Sequence, residues 1–367
     1  MLALYRKYRP KKLADIFGQE TIVEVLSNAA KLDKLAHAYL FFGPRGSGKT
    51  TMARLVAKIA NCQKRQEDKK FKELGEPCNQ CLKCQEIDEG RALDVIEIDA
   101  DSNRGIDEIR NLKEGIRVSP SSSAYKIYII DEVHQLTKDA FNALLKTLEE
   151  PPAHAIFVLA TTEYEKVPST IVSRTQRFHF KRLTLIKIVE KLESIVKAEK
   201  IKIDEDALEL IAASAEGSLR DAESLLDQIA SSNEKITLES VESILGRVGF
   251  KKTAEMAEFL IKGDINSALT ALSKINEGGY NLTQFNKDLI HYLRRVLTLR
   301  FSPELENEFK KELIEAELKS VKKHSAEINE QKIVELIKSL IRAYTEMRYS
   351  PFQIVPLEVA IVENLRK

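Results

Sequence analysis

The sequence predicts an α/β protein: a parallel sheet with helices on both faces and a cysteine-rich insertion, followed by a small helical domain and an all-helical C-terminal domain. Three observations predict it. Apolar runs of strand length alternate with helical stretches as far as about residue 180, the pattern that βαβ units require. From Leu183 onward only helical periodicity returns. All four cysteines fall within one window of 23 residues and interrupt the first region.

The chain opens with Tyr5-Arg6-Lys7-Tyr8-Arg9-Pro10, basic and aromatic, where Pro10 discourages helix immediately before it. It reads as a solvated arm, or as an arm that folds over the base of a bound nucleotide through Tyr8 and Arg9. After Leu13 to Glu20 comes a helix from about Thr21 to Lys31, with Ile22, Val25, Leu26 and Ala29 on one face. Ala38 to Phe42 is the first strand, and Met52 to Ala60 is an amphipathic helix. Between them lies Gly43-Pro44-Arg45-Gly46-Ser47-Gly48-Lys49-Thr50, followed by Thr51. Strand, glycine-rich loop and helix in that order make a P-loop: the glycines let backbone N–H groups turn around phosphate oxygens at a positive helix end. Lys49 reaches the outer phosphates and the Thr50 hydroxyl can hold Mg²⁺. The loop therefore points to ATP and Mg²⁺.

Cys62, Cys78, Cys81 and Cys84 follow directly. Two-residue spacings place thiolates on one tetrahedral Zn²⁺ without strain, and the Lys- and Glu-rich stretch Gln63 to Glu76 has no core of its own, so a structural zinc-binding insertion over about 62–90 is expected. Leu93 to Asp99 is the second strand; Ser102-Asn103-Arg104-Gly105 precedes a helix from about Ile106 to Val118. The third strand, Lys126 to Ile130, delivers Asp131 and Glu132 at its C-terminal end, Asp131 for Mg²⁺ and Glu132 to polarise the attacking water. A helix over Lys138 to Glu149 stops at Pro151-Pro152. The fourth strand, Ile156 to Ala160, ends in Thr161-Thr162, with hydroxyls expected to face the nucleotide cleft; a short strand, Gln176 to Phe180, follows Ser173-Arg174-Thr175. Helices near 184–198, 204–215, 218–231 and 237–245 make a small bundle. Leu219, Leu225, Leu226 and Ile229 read as core, and Arg220 as aimed at a cleft. Further helices are expected at Ala254–Lys262, Ile265–Ile275, Leu282–Leu299, Lys332–Arg348 and Phe352–Asn364.

Formal net charge is +1 over 367 residues. No basic sheath coats such a chain, so any nucleic-acid contact is local or belongs to an assembly. No apolar run approaches the roughly 18 residues that span a bilayer, and no signal-peptide core follows the N-terminus. A cytoplasmic protein is expected.

These landmarks resemble the AAA+ ATPases, and within them the gamma/tau family of bacterial DNA polymerase III clamp-loader subunits. The likeness is carried by Tyr8-Arg9-Pro10, Gly43 to Thr50, the four-cysteine insertion, Asp131-Glu132-Val133-His134, Asn142 to Pro152, Ala160-Thr161-Thr162, Ser173-Arg174 and Glu216-Gly217-Ser218-Leu219-Arg220-Asp221. It spans about residues 1 to 245. It implies an AAA+ domain over 1–181, a helical lid over 182–245 and a collar over 246–367, with a five-stranded parallel sheet and a hinge near Lys181 to Thr184. Thr162, with Thr161 beside it, would sense the γ-phosphate; Arg220 would reach the phosphates from the lid; Arg174 would act as an arginine finger on a neighbouring subunit's nucleotide. The family's usual triplet there is Ser-Arg-Cys, so Thr175 departs from it while the arginine is retained. Arg104 and Arg110 would be candidates for contact with DNA phosphates.

The resemblance further implies an ATPase that opens a sliding clamp and loads it on primed DNA, in a hetero-pentamer with delta- and delta-prime-type subunits and copies of itself. It implies a short gamma-like product or part of a longer tau-like chain. Three other readings compete: another AAA+ remodeller such as a branch-migration motor, a nucleotide-binding scaffold without turnover, and a zinc-dependent DNA-binding module in which ATP is incidental. Bound zinc argues against the first, the intact Lys49, Thr50, Asp131 and Glu132 against the second. The third predicts that losing Cys81 abolishes DNA binding while ATPase persists.

Overall fold

The computed structural model describes residues 3–102, 115–116, 118–231 and 235–366. Arg104, Arg110 and the first part of the helix expected from about Ile106 lie outside the described residues. By contacts the chain divides into two compact units: Met1–Leu183 with Gly217–Ser224, and Thr184–Glu216 with Leu225–Lys367.

The first unit is built on a parallel sheet of β1 (Ala38–Phe42), β2 (Val95–Asp99), β3 (Lys126–Asp131), β4 (Ala155–Thr161) and β5 (Gln176–His179), in the order β2-β3-β4-β1-β5. β1 and β4 are therefore interior strands, and both read as unbroken apolar runs because both faces are covered. Alternation sorts their side chains. Tyr39 and Phe41 join Met52, Val56, Ile127, Ile129, Ile156 and Val158 on one face. Ala38 and Leu40 join Tyr128, Ile130, Phe157, Leu159, Leu144 and Leu148 on the other. After the N-terminal turn α1 (Leu4–Lys7), the first face is covered by α2 (Glu20–Lys31) and α3 (Lys49–Asn61), the second by the helix Lys138–Glu149. That last helix starts where the Thr137 hydroxyl accepts from the Ala140 N–H at 3.3 Å, and it stops before Pro151 and Pro152, as the sequence predicts.

The start of the second strand shifts. Leu93 is exposed and Asp94 buried, so the second strand begins only at Val95. Asp94 instead closes the turn before β3, accepting from the N–H groups of Ser121 and Ser122 at 2.7 and 2.9 Å.

The second unit is helical. Its longest helix, Leu282–Phe301, packs Phe285, Leu289, Leu293 and Val296 against Phe250–Lys262, Glu315–Glu327 and Glu330–Glu346 in one continuous core. Helices Leu185–Glu199, Glu205–Ser214 and Leu238–Leu245 fall where the sequence places them, as does Leu219–Ala230, whose residues up to Ser224 belong to the first unit. Leu226 and Ile229 are core, but Leu225 is only half-buried and Leu219 lines a cleft. Helices Glu306–Glu312 and Glu315–Glu327 were not expected. Their charged sequences carry too few apolar residues to announce a face.

Candidate functional site

The loop after β1 turns on glycines in the left-handed region. Gly43 stands at φ 145° and Gly46 at φ 72°; a Cβ on Gly43 would lie 2.2 Å from the Phe180 carbonyl oxygen, and one on Gly46 would lie 1.8 Å from the Ser218 hydroxyl. No side chain fits at either place. The loop feeds the N-terminus of α3, and Lys49, the first residue of that helix, is 6% exposed. Its ammonium donates to the carbonyls of Gly43 and Pro44, both at 2.9 Å. Burial lowers the Lys49 pKa, with Glu132 and Asp131 pulling the other way.

β3 brings the two carboxylates expected of it. The Thr50 hydroxyl donates to Asp131 Oδ2 at 2.6 Å, across 81 residues of sequence. Together they fit a Mg²⁺ site in chemistry: one hydroxyl and one carboxylate, hard oxygen donors at a strand end beside a phosphate-binding loop. Glu132 follows at φ 46°, a strained conformation for a glutamate. Its Oε2 accepts from the Thr162 N–H at 3.1 Å and the Thr162 hydroxyl at 2.9 Å.

Thr161 and Thr162 diverge. As the last residue of β4, Thr161 is fully buried; its hydroxyl lies 2.9 Å from His134 Nδ1 and accepts from the Glu163 N–H at 3.0 Å. The expectation that both hydroxyls face the cleft is corrected: strand alternation turns Thr161 inward, and Thr162 alone reaches Glu132.

A cleft of about 350 Å³ opens at this end of the sheet, within the first unit. Arg45, Gly46, Ser47, Gly48, Lys49, Thr50 and Thr51 form its floor, with Asp131 and Glu132. Gly43 and Pro44 act through their carbonyls on Lys49. Tyr5, Arg9, Pro10, Ile16 and Phe17 also line it, together with Leu219, Arg220 and Glu223 from the start of the helix Leu219–Ala230. Tyr8 is not among the residues that line the cleft. An unexpected helical turn, Leu4–Lys7, places Tyr5 one turn from Arg9, and the Arg220 guanidinium lies 5.1 Å from the Tyr5 ring centre. Burial first, then Arg54, lowers the Arg9 pKa.

Gln19 is a further residue that sequence reasoning passed over. It is buried, donates to the Lys181 carbonyl at 2.8 Å and accepts from the Lys181 N–H at 3.1 Å, and so ties the segment before α2 to the end of the sheet. The signal was faint: a polar residue beside a glycine before a helix.

Arg174 does not line this cleft. It follows the short helix Ser169–Val172, forms an ion pair with Glu149 and donates to the Thr170 carbonyl at 2.7 Å. Its side chain is about a third exposed.

The cysteines converge. Their four Sγ atoms lie within 4.8 Å of one another, and Cys78 and Cys84 are 3.9 Å apart. A tetrahedral thiolate site with bonds of about 2.3 Å separates its sulfurs by about 3.8 Å, so the set fits a zinc ion. Backbone N–H groups already point at the sulfurs: Cys78 N donates to Cys62 Sγ at 3.4 Å and Cys81 N to Cys78 Sγ at 3.2 Å. The Cys84 thiol lowers the Cys62 pKa, and Cys84 is raised in return. The stretch between, expected to lack a core, borrows one: buried Arg65 donates to the carbonyls of Ile59, Lys72 and Ala30. Glu76 accepts from the N–H groups of Leu13 and Ala14 at 2.7 and 2.9 Å.

Comparison with known proteins bears on the whole chain. Three family models match in succession: "DNA polymerase III, delta subunit" over residues 18–184, "DNA polymerase III clamp loader subunit, ATPase lid domain" over 187–234, and "DNA polymerase III subunits gamma and tau domain III" over 236–366. DNA polymerase III subunit tau of Bacillus subtilis is 43% identical across 98% of this chain and 62% of its own length. Subunit tau of Escherichia coli is 40% identical across 82% and 46%. The chain thus spans about half to two-thirds of these tau relatives. Subunit gamma of Buchnera aphidicola subsp. Schizaphis graminum is 37% identical across 99% of this chain and 97% of its own length. Among solved structures, the Bacillus subtilis clamp loader delta protein has a TM-score of 0.42 at 13% identity, covering 94% of this chain and 99% of that one. The RuvB branch migration motor of Thermotoga maritima has 0.48 at 19%, covering 72% and 85%. Both likenesses are too loose to bear on function. Matched by clamp-loader models from residue 18 to residue 366 and by a gamma subunit along nearly its full length, the chain belongs to the gamma/tau family of DNA polymerase III subunits.

Proposed function

We propose that the chain is an ATP-hydrolysing motor subunit of a bacterial replicative clamp loader. The observation that carries this reading is the pairing of Thr50 with Asp131 at 2.6 Å beside the buried Lys49, with Glu132 held by Thr162 at the same cleft. Lys49 and the loop N–H groups bind the phosphates of ATP; Arg220 joins them from the lid. Thr50 and Asp131 would hold Mg²⁺, which screens phosphate charge. Glu132 accepts the proton of a water that attacks the γ-phosphorus as the bond to ADP breaks. Tyr5, Arg9 and Phe17 enclose the base and ribose. Arg174, outside its own cleft, serves the nucleotide of a neighbouring subunit and must leave Glu149 to do so.

The four cysteines hold a structural zinc ion. Residues 1–181 act as the AAA+ domain, 182–245 as the lid and 246–367 as the collar. The assembly is a cytoplasmic hetero-pentamer with delta- and delta-prime-type subunits and copies of this chain; it opens a sliding clamp and grips primed DNA, with Arg104 and Arg110 as phosphate contacts. No described helix is long and apolar enough to cross a membrane.

The test is steady-state ATPase of the chain mixed with partner subunits, clamp and primed DNA, for wild type and Arg174→Ala, with nucleotide binding measured alongside. The expected result is strong stimulation of wild type, and a variant that binds ATP normally yet is not stimulated. Equal turnover by the chain alone, or an unaffected variant, overturns the clamp-loader mechanism.

A further inference from the structure

The second unit holds a cavity of about 900 Å³ bounded by helices Leu185–Glu199, Glu205–Ser214, Phe250–Lys262 and Glu315–Glu327. Its volume is within the range of small-molecule sites, roughly 300–1,000 Å³. Part of its lining is apolar, from Ile186, Leu210, Phe250 and Ile314. The rest is acidic: nine carboxylate residues against three lysines. Two of those lysines are already committed, Lys251 to Asp206 at 2.5 Å and Lys323 to Glu258 at 3.1 Å. The surplus is therefore negative, and a ligand for this space is a cation with apolar parts.

One carboxylate marks where the charge is wanted. Glu317 is 8% exposed, lines the cavity, and has no hydrogen-bond partner for its Oε2 among the described residues. A buried carboxylate oxygen without a partner is unfavourable, because its lost hydration is not replaced. Arg295 acts on Glu317 through its charge, and its own Nε is likewise unpartnered. Glu209, from the facing helix, is near enough for the two carboxylates to repel; Asp206 and Glu205 add to that repulsion and Lys251 opposes it. Burial, foremost, moves both Glu317 and Glu209 up to about 7. A compact divalent ion does not match this geometry. Among the described residues the cysteines are the group whose donor atoms converge, whereas these carboxylates are dispersed along the cavity.

We propose that this cavity binds a flexible aliphatic polycation of the polyamine class, one ammonium engaging Glu317 and Glu209, the methylene chain lying on the apolar lining, and the remaining ammonium groups meeting carboxylates such as Glu255 and Glu190. Bound there, the ligand bridges helices Glu205–Ser214 and Glu315–Glu327. Every residue involved belongs to the second unit, so the site is separate from the nucleotide cleft and does not rest on the reading given for it.

The experiment is calorimetric titration of the full chain with spermidine at about pH 8 and constant ionic strength, beside MgCl₂ and an uncharged alkanediol as probes. Saturable binding of spermidine to wild type is expected, weakened about tenfold or more in both Glu317→Gln and Glu209→Gln, as loss of a charge-assisted hydrogen bond implies. Glu363→Gln, on the last helix, should bind as wild type does. At about pH 5.5 affinity should fall, because Glu317 and Glu209 take up protons there. Circular dichroism checks that the variants fold, and the half-buried Glu209 carries the test if Glu317→Gln does not. Equal affinity in wild type and both variants, or Mg²⁺ matching spermidine at equal charge, overturns the proposal. So does a basic peptide that saturates the site where spermidine gives no heat, since that assigns the cavity to a protein partner.

Discussion

Two glutamates, one half-buried and one buried, show how differently a carboxylate can be used. Glu132 is placed by Thr162, whose N–H and hydroxyl both donate to one carboxylate oxygen, and this placement is what a general base needs. Thr162→Val keeps the branched shape and removes the hydroxyl. Nucleotide affinity should stay within about twofold while single-turnover hydrolysis slows by about tenfold or more, the loss of one hydrogen bond to a charged group. Equal rates would remove Thr162 from the reaction. Among the described residues, Glu317 has no such donor at Oε2. An unfolded glutamate titrates near 4.5, whereas burial raises folded Glu317 to about 7, so the folded state holds the extra proton between those values. The contribution to stability is fully present below about pH 4.5 and is lost as pH rises through 7, amounting to about 3 kcal/mol. Urea denaturation between about pH 5 and 8 should show that slope for wild type and a shallower one for Glu317→Gln. At this scale the sequence was most legible where type and spacing foretell which residues come together: Thr50 with Asp131, Lys49 on its own loop, and the four cysteines. It was least legible where a single turn of backbone decides, as between Tyr5 and Tyr8 or Thr161 and Thr162, because neighbouring residues of one type differ only in the direction they point.

The insertion after α3 is an element held from outside itself. Its short helices Gln63–Glu67 and Lys69–Lys72 bury little, and Arg65, Glu76 and the cysteines attach them to α3 and to the segment before α2. Lys58, 1% exposed, adds a further tie through Asp88 at 2.7 Å. If the cysteines bind zinc, chelation or Cys81→Ser should expose the amides of about 63–88 to hydrogen exchange, while β1, β3 and β4 keep their protection. Uniform loss of protection would make the cluster part of the sheet's own stability. The order of strands was not readable, since periodicity reports faces and not neighbours. Helices with a clear apolar stripe were placed to within a few residues, but Glu306–Glu312 and Glu315–Glu327 were missed because their charged sequences, which supply acidic cavity residues such as Glu315 and Glu317, hide the stripe.

Across the whole molecule, a net charge of +1 is distributed over two units with separate cores, one on both faces of a sheet and one around the helix Leu282–Phe301. The sheet order has a consequence for how the protein is made. β1 leaves the ribosome before any other strand, yet its two neighbours are β4 and β5, the last two to be synthesised. Ala155 follows Phe42 by about 110 residues, and at about 5–20 residues per second β1 spends roughly 6–20 seconds with neither edge paired. Tyr39, Leu40 and Phe41, fully buried in the finished sheet, lack their neighbouring strands throughout that interval. The strand that delivers the phosphate-binding loop is thus the one whose nascent form most needs shielding by a chaperone.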